Sequence, residues 1–212
     1  MDYEDQPLDP ERPFQKDFSA WKAEQERKSL PTETCAIHGH FWAGKYDQRA
    51  PNAMRITWLR DPVKRLISHY YYWKSVPEMP HSLHNYVREN DLSLLEFAQI
   101  PQLQNVLHNT FLRDRKLENF AFVGIQEHFV DDLQSLARQM NWPKRKRTPE
   151  QNRTVLEGYD VNAVDAGTLR KIRSLNEADL TLYETALQMR ARRVASAPLR
   201  VRFANAWRAL RA

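Results

Sequence analysis

The sequence predicts an α/β fold, a parallel sheet flanked by helices, and three observations lead to that class. Short runs of apolar and β-branched residues alternate with longer stretches of helical periodicity. Strands separated by helices favour parallel pairing, because a parallel connection needs a long crossover. The chain has 212 residues, 42% of them hydrophobic, which suffices for one core and does not require two. We find no internal repeat or low-complexity linker, so we expect a single domain.

Each element is predicted from local signals. Apolar runs bounded by turn residues predict three strands, at 34–38, 54–59 and 120–125. Helical periodicity, with caps and prolines at the ends, predicts helices at 14–29, 62–74, 82–89, 93–99, 103–112, 127–140, 166–175 and 177–193. Prolines and polar residues predict loops at 76–80 and 142–158.

Charge is distributed unevenly along the chain. The formal net charge is +5 and the pI about 9.3, yet seven arginines and no acid fall within 189–212. A run of four basic residues occupies 144–147. Basic clusters favour polyanionic partners, so we expect a polyanion to bind the basic tail, 196–212. A solubilising tail, or an amphipathic helix docked by its apolar residues, is the alternative. Ahead of the expected domain at 35–195 lies an acidic, polar segment, 1–34, with its own helix.

Several protein classes are excluded or disfavoured by composition. The single cysteine, Cys35, excludes an intramolecular disulfide framework and suits a reducing compartment, so we expect a cytoplasmic protein. No stretch approaches the ~20 apolar residues of a transmembrane helix. The first residues, MDYEDQPLDPERPF, are acidic and proline-rich, unlike a signal or transit peptide. No helix-turn-helix, zinc-finger or RNA-binding signature is present.

Residues 54–75 are the most informative segment of the chain. The run MRITWL predicts a buried strand, and Asp61 followed by Pro62 predicts the start of a helix. Arg60 lies between the two elements, and Ser68 lies in the second helical turn. A helix N-terminus offers N–H groups and a positive dipole end to an anion, and arginine adds a bidentate guanidinium. The segment therefore predicts an anion site, with an ordinary solvated basic face as the alternative.

The run RDPVKRLISHYYY, residues 60–72, resembles the 3′-phosphate-binding segment of the carbohydrate sulfotransferases. It is most similar to the branch of heparan sulfate 2-O-sulfotransferase and its small bacterial relatives. The resemblance implies a P-loop-like sheet and a sulfuryl transfer from PAPS (3′-phosphoadenylyl sulfate) to a hydroxyl of a glycan or similar acceptor. It also implies that Arg60 and Ser68 bind the 3′-phosphate of PAPS. In-line transfer of this kind needs no metal, so none is expected.

Two histidines flank a glycine in CAIHGHF, residues 35–41, and this pattern also resembles that branch. The resemblance implies that His40 is the catalytic base and His38 a helper or an acceptor contact. Sulfuryl transfer needs a group that takes the proton of the acceptor hydroxyl, and a histidine pKa near ~6.5 suits that task. A zinc site is one alternative, although no fourth ligand follows at a familiar spacing. A purely structural histidine pair is the other.

Further similarities lie downstream. FAFVGIQEHF, 120–129, is similar to a strand and helix start of the family, and 176–184 is similar to its C-terminal helix, to which we assign packing only. QNRT, 151–154, resembles the loop that closes over the donor nucleotide, which implies contacts from Arg153 and Thr154. An Asx- or ST-type turn is the alternative for these two residues. Altogether the resemblance covers about 36–191.

One part of the family pattern has no counterpart in this sequence. The family begins with a strand and a loop of the type Pro-Lys-Thr-Gly-Gly-Thr-Ser, which holds the 5′-phosphosulfate. Such a loop needs glycine so that the backbone can approach phosphate closely, and none of the five glycines precedes Gly39. We therefore expect an N-terminally incomplete domain, through a misassigned start or a lost 5′ end, or else a degenerate relative. The alternative function is a non-catalytic relative that binds polyanions or nucleotides.

Overall fold

The structure is a computed structural model that describes residues 8–9, 12–16, 30, 32–77, 82–143 and 163–196. It is α/β and mostly helical. The strands are β1 (Leu8–Asp9), β2 (Arg12–Lys16), β3 (Ile56–Leu59) and β4 (Phe122–Ile125). The helices are α1 (Pro62–Ser75), α2 (Ser82–Glu89), α3 (Leu94–Gln99), α4 (Phe129–Gln139), α5 (Ala166–Leu175) and α6 (Glu177–Ser196).

The predicted parallel pairing of the second and third strands is confirmed. β3 and β4 pair in parallel, with Ile56 opposite Phe122 and Leu59 opposite Ile125. Their carboxyl ends therefore meet at one edge of the sheet, where ligands of open α/β sheets bind. Arg60 leaves β3 at that edge, and a 3₁₀ turn, Gln126–His128, leaves β4 there. β1 and β2 form a separate antiparallel pair.

The packing of β3 on β4 depends on a glycine. β4 is buried along its whole length. The ring of Trp58 on β3 lies against Gly124, and a Cβ built on that glycine would come within 2.3 Å of the Trp58 indole Nε1. The same ring contacts Phe122 and Phe129, with centroids 5.6 and 5.7 Å away. No side chain larger than hydrogen fits at position 124 while Trp58 keeps this place.

We expect Gly124→Ala to destabilise the fold by about 1–3 kcal/mol, the usual cost of overpacking a core. Urea unfolding measures the loss. The matched control is the same substitution in a Trp58→Leu background, where the obstructing ring is gone and the added methyl should cost much less. Equal losses in both backgrounds would contradict the steric explanation.

Helix α1 begins as predicted. Asp61 is its N-cap, and the carboxylate accepts the Lys64 N–H at 2.9 Å. Pro62 occupies the first helical position, where the missing N–H costs nothing. The helix buries an apolar face against α3 and α5, in a cluster that contains Leu66, Ile67, Trp73, Phe97 and Ile172. This packing fixes α1 as a rigid frame for the residues at its start.

Helix α6 covers the sheet and is held there by a buried carboxylate. Asp132 of α4, which is 1% exposed, accepts the Ile125 N–H at 2.8 Å and the Nε–H of Arg190 at 2.9 Å. Arg193 donates from Nη1 to the Val123 carbonyl at 2.8 Å, and its guanidinium lies 4.1 Å from the centroid of the Phe122 ring. Together these contacts bind α6 to β4 at three points.

Three sequence predictions are wrong in part. The strand at 34–38 is absent: these residues have no regular structure, and Thr34, Cys35 and His38 are exposed, with no described strand beside them to pair their backbone. The helix at 14–29 does not begin as expected, because its first residues belong to β2 and the others lie outside the described residues. The helix at 103–112 is broken by Asn105, whose φ of 48° is left-handed. A 3₁₀ turn, Pro101–Leu103, precedes it, and a π-helical turn, Leu107–Phe111, follows it.

The other predicted helices are confirmed within a few residues, and the parallel sheet has two strands in the part of the chain that the structure describes.

Candidate functional site

Glu127 ties together three elements at the carboxyl edge of the sheet. Its Oε1 accepts the backbone N–H of Asp61 at 3.1 Å, and its Oε2 accepts the hydroxyl of Tyr183 at 3.1 Å. The turn from β3 into α1, the turn after β4 and the helix α6 therefore meet at one carboxylate. Because both oxygens are engaged, Glu127 orients this edge of the sheet.

The start of α1 offers fewer N–H groups to an anion than the sequence predicts. The Asp61 N–H is taken by Glu127 and the Lys64 N–H by the Asp61 carboxylate, while Pro62 has none. Of residues 61–64, at most Val63 has a backbone N–H that is still available to an anion. Anion binding at this helix therefore has to come mainly from side chains, and Arg60 and Ser68, both half-buried, are placed at its start and two turns along it.

A second arginine lies close to Arg60. Arg65 pairs with Asp179 of α6, with 3.7 Å between Nη2 and Oδ2, and its side chain is 21% exposed. Burial lowers the pKa of the Arg65 guanidinium; the Asp179 carboxylate opposes that shift and the charge of Arg60 adds to it. The Nε and Nη2 atoms of Arg65 are buried and have no hydrogen-bond partner within the described part of the chain. Two guanidinium groups thus lie near the start of α1, and that of Arg65 is paired with a carboxylate.

Asp179 is fully buried and holds the start of the π-helical turn. Its carboxylate accepts the N–H of Leu107 at 3.0 Å and that of His108 at 2.7 Å. Its own N–H donates to the side-chain oxygen of Asn105 at 3.1 Å. Burial raises the pKa of the Asp179 carboxyl, while the two backbone hydrogen bonds and the charge of Arg65 oppose the rise. The segment 105–108 is therefore attached to α6 through this one side chain and its neighbours.

The predicted catalytic histidines lie in the irregular segment before β3. His40 is exposed and lies beside Phe111, with ring centroids 6.2 Å apart and the planes tilted by 58°. The Ala43 N–H donates to the Phe111 carbonyl at 2.8 Å, which holds the same segment on the end of the π-helical turn. His38 is exposed. That His40 serves one site with Arg60 and Ser68 stays a prediction.

The remaining predicted contacts lie outside the described residues. These are Arg153 and Thr154, the basic run at 144–147, and nearly all of the basic tail. In the described ranges, no three His, Cys, Asp or Glu side chains are grouped so that they could hold a metal ion. No helix in those ranges is both long enough and apolar enough to span a membrane.

Sequence reasoning missed the contribution of α6. We assigned 176–184 to packing only, yet Asp179 and Tyr183, one helical turn apart, both reach residues at the start of α1 or the turn beside it. The available signal was an aspartate on the buried face of an amphipathic helix, because a buried acid requires a charged or hydrogen-bonding partner.

We expect Tyr183→Phe to lower the free energy of unfolding by about 0.5–1.5 kcal/mol, since it removes one hydrogen bond. Burial raises the pKa of the Tyr183 phenol above its ordinary value, and the charge and hydrogen bond of Glu127 raise it further. The folded state therefore holds this proton more tightly than the unfolded state. That contribution is present below the unfolded pKa and is lost as the pH rises through ~10 and beyond.

Chemical denaturation from pH 7 to pH 11 checks this prediction. The wild-type protein should lose stability more steeply than Tyr183→Phe above pH ~10. If the free energy of unfolding falls equally with pH in the two proteins, Tyr183 does not contribute to the pH dependence of stability.

A sequence profile described as the Sulfotransferase family matches residues 9–185. The match includes both histidines, the whole of α1, Glu127 and Asp179, and it begins upstream of Ala36, where the resemblance seen in the motifs begins. No curated protein and no solved structure matches the chain significantly.

Proposed function

The chain belongs to the sulfotransferase family, and from that premise we propose that it transfers a sulfuryl group from PAPS to a hydroxyl of a carbohydrate-type acceptor. Family membership supports a transferase whose general chemistry is sulfuryl transfer. PAPS as the donor and a glycan as the acceptor are the proposed specifics. The observation that carries them is the position of Arg60 between β3 and α1, at the carboxyl edge of a parallel strand pair, with Ser68 in the α1 helix that follows.

The donor is proposed to lie against the start of α1. Arg60 supplies a charge-assisted, bidentate pair to the 3′-phosphate, and the Ser68 hydroxyl donates a second hydrogen bond. The nearby carboxylates of Asp61 and Glu127 each accept a backbone N–H at this edge, so hydrogen bonds partly offset their negative charge beside the anion. Arg153 and Thr154 are proposed as further contacts of the nucleotide.

His40 is the proposed general base. It takes the proton of the acceptor hydroxyl as the oxygen of that hydroxyl bonds to sulfur, and the bond from sulfur to the bridging phosphate oxygen breaks. Adenosine 3′,5′-bisphosphate then leaves with the bonding electrons. His38 is proposed as a helper or an acceptor contact. No step of this proposal requires a metal. A cytoplasmic setting is proposed on the strength of the single, exposed Cys35.

A second candidate function rests on a specific observation. Among these 212 residues no glycine precedes Gly39, whereas the family's phosphosulfate loop is glycine-rich. Removing one preorganised donor that faces developing charge costs ~10²–10³ in rate, and a whole loop supplies several. A relative with Arg60 and Ser68 alone would bind a nucleotide bisphosphate or a polyanion, the latter also through its basic tail, and would hardly catalyse transfer.

Incubation with PAPS and a panel of glycans separates the two candidates. Transfer predicts two matched products, free adenosine 3′,5′-bisphosphate and an acceptor heavier by one sulfuryl group (SO₃), both absent when the acceptor hydroxyls are methylated. Bisphosphate binding without a sulfated product would support the non-catalytic relative. An in-frame Lys-Thr-Gly-Gly-Thr upstream of the Met1 codon in the gene would support the enzyme.

A further inference from the structure

We propose that Asp179 is a positioning residue, which holds the histidine-bearing segment in place relative to the phosphate motif of α1. The inference rests on the proposed function, because it assigns the two parts of the proposed site to one buried carboxylate. Asp179 itself contacts neither donor nor acceptor in this proposal. It acts through the backbone of the π-helical turn.

Asp179 is hydrogen-bonded to the backbone of the π-helical turn. Both carboxylate oxygens are used, Oδ2 by the Leu107 N–H at 3.0 Å and Oδ1 by the His108 N–H at 2.7 Å. These are N–H groups at the start of a helical turn, which lack partners inside the turn. Asparagine offers a single acceptor oxygen, so it would leave one N–H facing an amide nitrogen. The carboxylate is therefore specifically required at this position.

The π-helical turn contacts the segment that carries His40. The π-helical turn ends at Phe111, whose carbonyl accepts the Ala43 N–H at 2.8 Å and whose ring lies 6.2 Å from that of His40. His40 is exposed and lies at a bend directly after the isolated β-bridge of Gly39, outside the described helices and strands. A shift of the turn is therefore expected to shift His40.

Asp179 is also linked to the phosphate motif on α1. Arg65, which pairs with Asp179 across 3.7 Å, lies three residues before Ser68 and so on the same side of α1. α1 is fixed by its own apolar packing, whereas the Asp179 carboxylate holds the N–H groups of Leu107 and His108. Asn105, just before them, is bound by Asn176, the Leu175 carbonyl and the Asp179 N–H. Loss of the carboxylate should thus leave the phosphate motif in place and move the histidine segment away from it.

Side-chain NMR of His40 tests this inference in the full chain. The ¹H–¹³C signals of the His40 ring are assigned by their loss in His40→Ala. We expect Asp179→Asn to displace these signals without any ligand, and to reduce their response to added adenosine 3′,5′-bisphosphate. Affinity for the bisphosphate should stay within about threefold of wild type, since Arg60 and Ser68 are untouched.

The matched control is Tyr183→Phe, one turn along the same helix, which keeps the ring that packs on the same apolar cluster as Leu107 and removes only the hydroxyl that donates to Glu127. This variant should leave the chemical shifts of the His40 ring unchanged. Unchanged His40 signals in Asp179→Asn, or equal displacement in both variants, would overturn the proposal.

If Asp179→Asn does not fold, Asp179→Glu replaces it. This variant keeps the charge and both oxygens, but its extra methylene moves them, so the His40 signals should again be displaced; unchanged signals would overturn the inference. Failure of the wild-type protein to bind the bisphosphate would refute the proposed function instead. The comparison of ligand-free signals would still decide the role of Asp179.

Discussion

Arg60→Ala is expected to weaken binding of adenosine 3′,5′-bisphosphate by about 10- to 100-fold, because it removes a charge-assisted hydrogen bond worth ~1.5–3 kcal/mol. Binding of 5′-AMP, which lacks the 3′-phosphate, should be weak in both proteins and nearly unchanged by the substitution. The loss of affinity on Arg60→Ala is therefore compared between the two nucleotides, and a loss confined to the bisphosphate identifies Arg60 as the 3′-phosphate contact. Isothermal calorimetry at fixed ionic strength measures it.

The matched control for Arg60 is Lys64→Ala. Lys64 is an exposed cation at the start of the same helix, so its removal changes the net charge equally without removing the proposed contact. We expect at most a few-fold loss of bisphosphate affinity from this variant, as for other exposed charges. If both variants weaken the two nucleotides alike, the site is a general basic surface and does not recognise the 3′-phosphate.

His40→Ala is expected to lower the rate of sulfuryl transfer by ~10²–10⁴, the usual contribution of a positioned base, while bisphosphate affinity stays near that of wild type. The proton of the acceptor hydroxyl would then have no protein group to receive it. Transfer is best measured both in this chain and in a version to which the family's glycine-rich phosphate loop has been grafted. Little or no transfer by the ungrafted chain would support the non-catalytic relative, and the comparison of His40→Ala with wild type is then made in the grafted version.

Ordinary transfer by the ungrafted chain would support the enzyme and would show that other residues hold the 5′-phosphosulfate. A different outcome would contradict the assignment of His40. Undiminished transfer after His40→Ala would show that another residue is the base, and His38→Ala is the variant to compare. Glu127 is a poor substitute, because both of its oxygens already accept hydrogen bonds from Asp61 and Tyr183.

Local signals predicted the part of the fold on which the phosphate motif depends. An N-cap acid followed by proline defines the start of α1 from a few neighbouring residues, and β-branched apolar runs define β3 and β4, so these elements needed no knowledge of distant contacts. The segment 34–38 has a similar apolar character but no described neighbour to pair with, and its backbone stays irregular. Strand formation depends on a partner, which a single run of residues does not reveal.

The site was predictable where its chemistry is local and hidden where it depends on distant contacts. Arg60 and Ser68 stand in one continuous motif, and the structure places both on α1 or at its start. Asp179 is more than a hundred residues from Arg65 along the chain, and its carboxylate binds backbone groups, which leave no mark in a sequence. Local propensity likewise predicted an α-helix at 103–112, because the left-handed Asn105 is stabilised by hydrogen bonds to distant residues, Leu175, Asn176 and Asp179.

The π-helical turn fixes the length of chain between Asn105 and Phe111. Its closing bond joins the Leu112 N–H to the Leu107 carbonyl at 2.7 Å, five residues back, so the turn holds one residue more than an α-helical turn. Deleting one residue there would restore ordinary α-helical spacing and rotate every following side chain by about 100°. Leu112 would leave the core and a different residue would face His40. Relatives that differ by one residue in this turn should therefore differ in the group that supports the histidine, even where the phosphate motif is identical.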